Sequence, residues 1–315
     1  MRILGIGISG HLGKRFILNL AESSAEIDLN ILRTTSRESA HASNALKNYE
    51  TMNISQTHLS DALRDGFDLK FDSAFFIGSA IPKNRFELQN FDVNSSLQPA
   101  VSVCKMIEEG KLEVGNIVYV SSAAVYGNCG QFSINSPLNP VDAYGVYKLR
   151  LEQLFSSLCL EREIPLDIVR PTLIFGPSES LKRMTTALVR HVLELQDIHF
   201  DGCEGLRNYV YVDDVARYLA LLCSKFRTKN IVRYHNLGNE SVFQIGDFVK
   251  MTLSVARSLN WFQGAYPSKL VLSSTSSTDF TLQHHYDLEQ DFQQEPLLTT
   301  IEKYLLWAQA NENTL

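Results

Sequence analysis

The sequence predicts an α/β protein: a doubly wound parallel sheet with a smaller C-terminal lobe. Three observations point there. Short runs that are apolar throughout alternate with amphipathic helical patterns across the first half of the chain. Such strands are buried on both faces, as in a parallel sheet covered by crossover helices. A glycine cluster, GIGISGHLG at 5–13, follows the first apolar run and opens the first helical one. After Pro171 the alternation loosens, and 315 residues suffice for one large domain with an appended lobe.

Taken in order, strands are expected at Arg2–Ile6, Asp28–Thr34, Ser73–Gly78, Asn116–Ser121 and Leu166–Arg170. Helices are expected at Leu12–Ala21, Ser36–Asn48, Ser95–Glu109 and Ala143–Glu163. PTLIFGP (171–177) reads as a loop and Leu181–Leu195 as a helix. RNYVYVDDVARYLALL (207–222) reads as a short strand leading into a helix. TTIEKYLLWAQ, near the C-terminus, reads as an amphipathic helix that packs on the core or the lobe, and SSTSSTD (273–279) as a loop. The expected division is 1–175 for the sheet domain, with 208–225 returning to it, and 176–207 plus 226–315 for the lobe.

Composition narrows the partners. The formal net charge is −6, from 29 basic and 35 acidic residues, with no basic run, which argues against a nucleic-acid or anionic-membrane surface. The five cysteines are odd in number and widely spaced, which suits reduced thiols rather than a disulfide framework or a zinc site. The apolar run after Met1-Arg2 is too short for a signal segment, and no stretch reaches the roughly 18–20 apolar residues of a membrane span. A cytoplasmic soluble protein is the expectation.

Glycines between a first strand and a first helix let the backbone approach a pyrophosphate, which then lies on the helix N-terminus. Two registers fit: Gly5, Gly7, Gly10 and Gly7, Gly10, Gly13. The second is preferred, because the first leaves a strand of about four residues. The expected contacts are Gly7, Gly10, His11, Leu12 and Gly13, although a histidine at a helix start is equally a surface residue. An acid at the end of the second strand would bind a ribose 2′-hydroxyl, whereas arginine accommodates a 2′-phosphate. NILRTTSRE (30–38) offers Arg33 and Arg37 and no acid before Glu38. NADP(H) is therefore favoured, with NAD(H) as the alternative.

NIVYVSSAAVYG (116–127) ends a strand in Ser121-Ser122, and Tyr144 and Lys148 follow on one helix face, four residues apart. An ammonium near a phenol favours the phenolate, and a serine hydroxyl at the strand end can hold the oxygen that receives the proton. Tyr147 lies about 100° around the helix from Lys148 and is expected to pack or face solvent.

With these residues in view, the chain resembles an extended short-chain dehydrogenase/reductase of the NAD-dependent epimerase/dehydratase family, which includes UDP-galactose 4-epimerase and nucleotide-sugar 4-ketoreductases. The likeness is carried by GISGHLG, FFIGSA, DVN, VSSAAVYG, YGVYK, RPTLIFGP and RNYVYVDDVA. It implies a Rossmann fold with a substrate-binding C-terminal lobe, a nucleotide-sugar substrate and a homodimer formed through the two long helices after the fourth and fifth strands. By the same resemblance Ser122, Tyr144 and Lys148 are catalytic, Tyr144 as acid/base and Lys148 on the ribose. Gly78, Ser79, Ala80, Asn94, Pro171 and Leu173 join the cofactor site, and Ser122, Ala123, Tyr144 and Arg207 the substrate site.

Departures from the family pattern sharpen the expectation. Dehydratases and decarboxylases of the family carry acids where this chain has Ala123 and Ala124, so β-elimination lacks its base. The alanines fit redox or epimerisation at one carbon, and the two arginines point to a reductase of a 4-keto sugar. A 4-epimerase with retained NAD is the alternative, and a non-catalytic dinucleotide sensor is the alternative of another class. The family's adenine-contacting acid after the third strand aligns with Ser55, and Asn208 replaces the aspartate usual after Arg207. Tyr126 is expected to pack or line the pocket, Asp213-Asp214 to cap the helix they open, and the histidines to form no metal site.

Overall fold

The computed structural model describes residues 1–22, 26–34, 52–65, 70–77, 88–180, 183–224, 232–261, 270–273, 278–285 and 292–311. The expected helix 36–48, Arg37, and the Gly78-Ser79-Ala80 turn lie outside them. Seven strands form the central sheet: β1 (Arg2–Ile6), β2 (Ile27–Arg33), β3 (Met52–His58), β4 (Ser73–Phe76), β5 (Ile117–Val120), β6 (Leu166–Pro171) and β7 (Val232–Leu237). They pair in the order β3-β2-β1-β4-β5-β6-β7, every pair parallel. The chain therefore runs outward from β1 to β3, then reverses and runs from β4 to β7. The crevice at that reversal, beyond the carboxyl ends of β1 and β4, is where such sheets bind ligands.

The helices are α1 (His11–Ala21), α2 (Leu59–Asp65), α3 (Val93–Glu108), α4 (Ala143–Arg162), α5 (Met184–Leu193), α6 (Val212–Ser224), α7 (Ile245–Ser258) and α8 (Leu297–Ala310). The pleat sends alternate residues of each strand to opposite faces. Ile3, Leu29 and Val118 meet Phe16 and Leu20 of α1 and Val215 and Leu219 of α6. Leu4, Phe76 and Tyr119 meet Val103 and Ile107 of α3 and Leu151 and Phe155 of α4. Each of these side chains contributes about 1.5–3 kcal/mol on burial, so both faces are firmly covered. A third core, with Phe175, Leu188, Tyr209, Phe248 and Leu305, joins α5, α7 and α8 into the C-terminal lobe.

Two strands of the central sheet went unforeseen. β3 (MNISQTH) is an edge strand with an exposed or half-buried face, and lacks the apolar run that signals a strand. β7 (VRYHNL) buries His235 and Asn236, whose polarity masks a buried strand. Their burial is tolerated because each has a partner: His235 bridges Tyr218 and Asp167 at 2.8 Å each, and Asn236 accepts from Tyr126. PTLIFGP is not wholly a loop, since Ile174–Phe175 pairs in parallel with Val210–Tyr211. The five cysteines are free thiols, with Cys104 and Cys159 buried between the sheet and α3–α4. No helix among the described residues is long and apolar enough to cross a membrane.

Candidate active site

The glycine loop shows why each of its glycines is needed. Gly7 has φ of 70°, a backbone conformation that L side chains resist. A β-carbon on Gly13 would fall 2.1 Å from the Ile8 carbonyl oxygen, so its absence lets α1 pack on the loop. A β-carbon on Gly10 would meet nothing within 4 Å, so the room there is open. Gly5 lies within β1, and a β-carbon on it would come 2.5 Å from the end of the Ile8 side chain. Gly10 is the N-cap of α1 and gives its first turn no side-chain hydrogen bond, and no acid stands in that turn. The first-turn amides thus face an open cradle, as an anionic pyrophosphate requires.

Two of the expected contacts have partly or wholly buried side chains. Leu12 buries its side chain in the α1–α6 core, so only its backbone amide can serve a ligand. His11 is half-buried rather than a surface residue. Burial, reinforced by Arg15, Arg183 and Lys14, lowers its pKa to about 4, so the imidazole is neutral near pH 7. Arg33 ends β2 at the carboxyl edge of the sheet, in register with His58 of β3. Ser55, by contrast, sits within β3 with its hydroxyl on Asn30 at 2.6 Å, so it does not follow the strand.

The strand end after β5 and the start of α4 converge. Ser122 caps the short 3-10 turn Ala123–Val125, its Oγ accepting from the Ala124 amide at 3.2 Å. Asp142 caps α4 by accepting from the Gly145 amide at 2.7 Å. Gly145 is required here, since a β-carbon on it would lie 2.6 Å from the Ala124 carbonyl oxygen. The contact seats α4 against the Ser122 turn. Lys148, buried on α4, donates from Nζ to the Val120 carbonyl at 2.8 Å. Its ammonium lies 5.8 Å from the centroid of the Tyr144 ring and 5.3 Å from that of Tyr119. Burial lowers the Lys148 pKa to about 7, with the Glu152 carboxylate opposing the shift. Tyr147 is buried against Phe91, ring centroids 5.4 Å apart, so it packs and does not face solvent.

Other expected residues have the following partners. Ala123 is buried beside Val125, Tyr126 and Leu282, while Ala124 is half-buried. Pro171 ends β6, and Leu173 passes the chain to the lobe, its carbonyl accepting from the Val210 amide. Arg207 anchors NH1 on the carbonyls of Leu206 and Thr278. Asn208 donates to the Leu282 carbonyl at 2.6 Å and accepts from its amide at 3.0 Å, which an aspartate could not do. Asn94 is exposed, and its amide oxygen accepts from Arg150 on α4 at 3.1 Å. Asp213 pairs with Arg15 and so ties α6 to α1, while Asp214 pairs with Arg217 one turn along its own helix; both stand in the first turn of α6 rather than at its N-cap. Burial raises the Asp214 pKa to about 6. Tyr126 is buried with both hydrogen-bonding roles taken, by Arg170 and Asn236. Missed from the sequence was Glu152, whose only signal is a carboxylate four residues after Lys148 on a helix face that turns out to be buried.

A model of the NAD dependent epimerase/dehydratase family matches residues 3–238. Among curated proteins, the dTDP-D-glucose 4,6-dehydratase of Dictyostelium discoideum is 27% identical over 154 residues, 44% of this chain and 35% of that protein. A Bacillus subtilis protein described as "Uncharacterized UDP-glucose epimerase YtcB" is 25% identical over 132 residues, 41% of this chain and 40% of its own. The matched segment is thus less than half the length of either relative. Among solved structures, the dTDP-glucose 4,6-dehydratase of Bacillus anthracis, in complex with NAD, superposes with a TM-score of 0.77 at 14% identity, covering 99% of this chain and 98% of that one. The UDP-glucose 4-epimerase of Thermotoga maritima, with UDP-glucose, gives 0.76 at 15% identity, covering 99% and 100%. These two likenesses establish a shared fold. On the family match across residues 3–238, together with that fold, the chain belongs to the NAD-dependent epimerase/dehydratase family.

Proposed function

We propose that this protein is an NAD(P)-dependent oxidoreductase acting at a hydroxyl or keto carbon of a nucleotide-activated sugar, as a 4-keto-sugar reductase. The observation that carries the reading is the pairing of a proton-transfer set with two alanines. Ser122 caps the turn against which α4, carrying Tyr144 and Lys148, is seated, and by the family resemblance Ala123 and Ala124 stand where dehydratases carry acids.

The open cradle at Gly10 fits a pyrophosphate, and a structural neighbour at 14% identity holds NAD. Gly7, Gly10 and Gly13 would hold it by backbone, Lys148 the ribose, and Pro171 and Leu173 the nicotinamide end, with Gly78-Ser79-Ala80 alongside. Arg33 and Arg37 favour the 2′-phosphate of NADP(H) over NAD(H). When bound, the dinucleotide supplies or accepts hydride. The residues of this chain then manage the proton. Tyr144 gives its phenolic proton to the substrate oxygen, Ser122 holds the same oxygen, and the Lys148 ammonium stabilises the phenolate left behind. Arg207, with one arm fixed on backbone carbonyls, presents its remaining donors to the substrate diphosphate. A homodimer through α3 and α4 belongs to the same proposal; Val101 and Leu160 are exposed apolar side chains on those helices.

C4 epimerisation is the second reading, favoured by the same alanines and by the likeness to the Thermotoga maritima epimerase. Chromatography of the nucleotide released on denaturing purified protein, with NADPH consumption on 4-keto nucleotide sugars, separates the two. A reductase oxidises one NADPH per sugar reduced. An epimerase releases bound NAD and needs no added cofactor. Dinucleotide binding without turnover on either substrate class would contradict both.

A further inference from the structure

Beneath the Ser122–Tyr144–Lys148 edge lies an ion pair to which the proton transfer assigns no task. The side chains of Glu152 and Arg170 are 3% and 4% exposed. Arg170 grips the carboxylate with both prongs, Nε to Oε1 at 2.9 Å and NH2 to Oε2 at 2.6 Å. Ser121 Oγ donates to Oε1 at 2.5 Å. The remaining arm of Arg170 donates to the Tyr126 hydroxyl at 2.7 Å, which donates to Asn236 at 3.0 Å. The guanidinium packs over the rings of Tyr126 and Tyr234, 5.0 and 4.6 Å from their centroids. Such a pair is poorly explained as a stabiliser, because desolvation of the two charges offsets their attraction and apolar residues often do as well.

Its attachments point elsewhere. Ser121 directly precedes Ser122, and Tyr126 closes the turn that Ser122 opens. Glu152 stands one helical turn beyond Lys148 and two beyond Tyr144, on the same face of α4. Arg170 directly precedes Pro171. One network therefore ties together the segments that carry the reacting side chains. Charge gives a second argument. The buried Lys148 ammonium faces the Val120 carbonyl and the rings of Tyr119 and Tyr144, and the Glu152 carboxylate, one turn along the same buried face of α4, opposes the fall in its pKa. Arg170, the other buried lysine or arginine among the described residues, is paired with Glu152. Without Glu152, two buried cations would remain with no counter-charge among these groups.

We propose that Glu152 and Arg170 are positioning residues of the reaction. Glu152 supplies the counter-charge that keeps Lys148 cationic beside Tyr144, and Arg170 fixes Glu152, Ser121 and the Ser122 turn against that face of α4. This rests on the roles proposed for Ser122, Tyr144 and Lys148.

The test uses full-length protein labelled with 13C at lysine Cε, in which the Lys148 signal is identified by its loss in Lys148→Met. Its titration is followed by NMR without cofactor in wild type, Glu152→Gln, Glu152→Asp and the double variant Glu152→Gln/Arg170→Met. Glu152→Gln should lower the Lys148 midpoint by about one pH unit or more. It should lower kcat about tenfold or more while KM changes less than about threefold. Glu152→Asp should restore part of both. If Glu152→Gln strands Arg170 and fails to fold, the double variant decides, because removing both charges spares the fold. A folded double variant with the wild-type Lys148 midpoint and kcat overturns the inference. A wild-type protein that binds no dinucleotide overturns the proposed reaction instead, and the Lys148 titration still decides the counter-charge.

Discussion

The carbonyl oxygen of Ala124 lies 2.6 Å from where a β-carbon on Gly145 would stand. That contact sets the distance between the Ser122 turn and the helix carrying Tyr144 and Lys148. Gly145→Ala must push the two apart. Misplacement of about 1 Å can cost 10²-fold in rate, and overpacking costs about 1–3 kcal/mol. The variant should therefore lose kcat by about 10²-fold with a modest fall in Tm, measured by steady-state kinetics and calorimetry.

Gly10 and Gly13 should respond oppositely to the same substitution. Gly10 has φ of −79° and open space around its missing β-carbon, so Gly10→Val should leave Tm nearly unchanged but weaken dinucleotide binding. Gly13→Ala would meet the Ile8 backbone at 2.1 Å and should destabilise the fold by about 1–3 kcal/mol. Thermal melts with and without NADPH or NAD separate the two effects.

Lys148 should impose a pH dependence on stability. Burial lowers its pKa from 10.5 unfolded to about 7 folded, so between those values the unfolded chain binds more protons. Stability attributable to this residue therefore rises with pH from about 7 to about 10, by at most about 1.4 kcal/mol per pH unit. Urea unfolding of wild type and Lys148→Met across that range should show the slope in the difference between them.

Asn208 holds both the amide and the carbonyl of Leu282, which requires a donor and an acceptor on one side chain. Asn208→Asp removes the donor and sets a buried carboxylate against a carbonyl. A loss of about 1–3 kcal/mol is expected in denaturant melts.

The sequence reveals most where apolar patterning and function coincide. Five of the seven central strands announce themselves by short apolar runs, although β2 carries Asp28 and Asn30 and β6 carries Asp167 and Arg170. β3 escapes as a polar edge strand, and β7 because His235 and Asn236 are buried polar residues whose partners are distant in sequence. The Tyr144 and Lys148 face is legible from helical spacing alone. Glu152 and Arg170 are not, since a carboxylate four residues after a lysine reads as a surface ion pair until burial is known. His11 misleads for the same reason: whether a helix-start histidine is charged depends on burial, here reinforced by Arg15 and Arg183 and opposed by a hydrogen bond to the Pro177 backbone.

The central claim is that the Tyr144 phenol passes the proton at the reacting carbon. Its most direct test is the kcat of Tyr144→Phe on a 4-keto nucleotide sugar that the wild type turns over, with dinucleotide affinity measured on the same preparation. A fall in kcat of about 10²-fold or more, with dinucleotide affinity retained, is the predicted result. Wild-type turnover by Tyr144→Phe would contradict it.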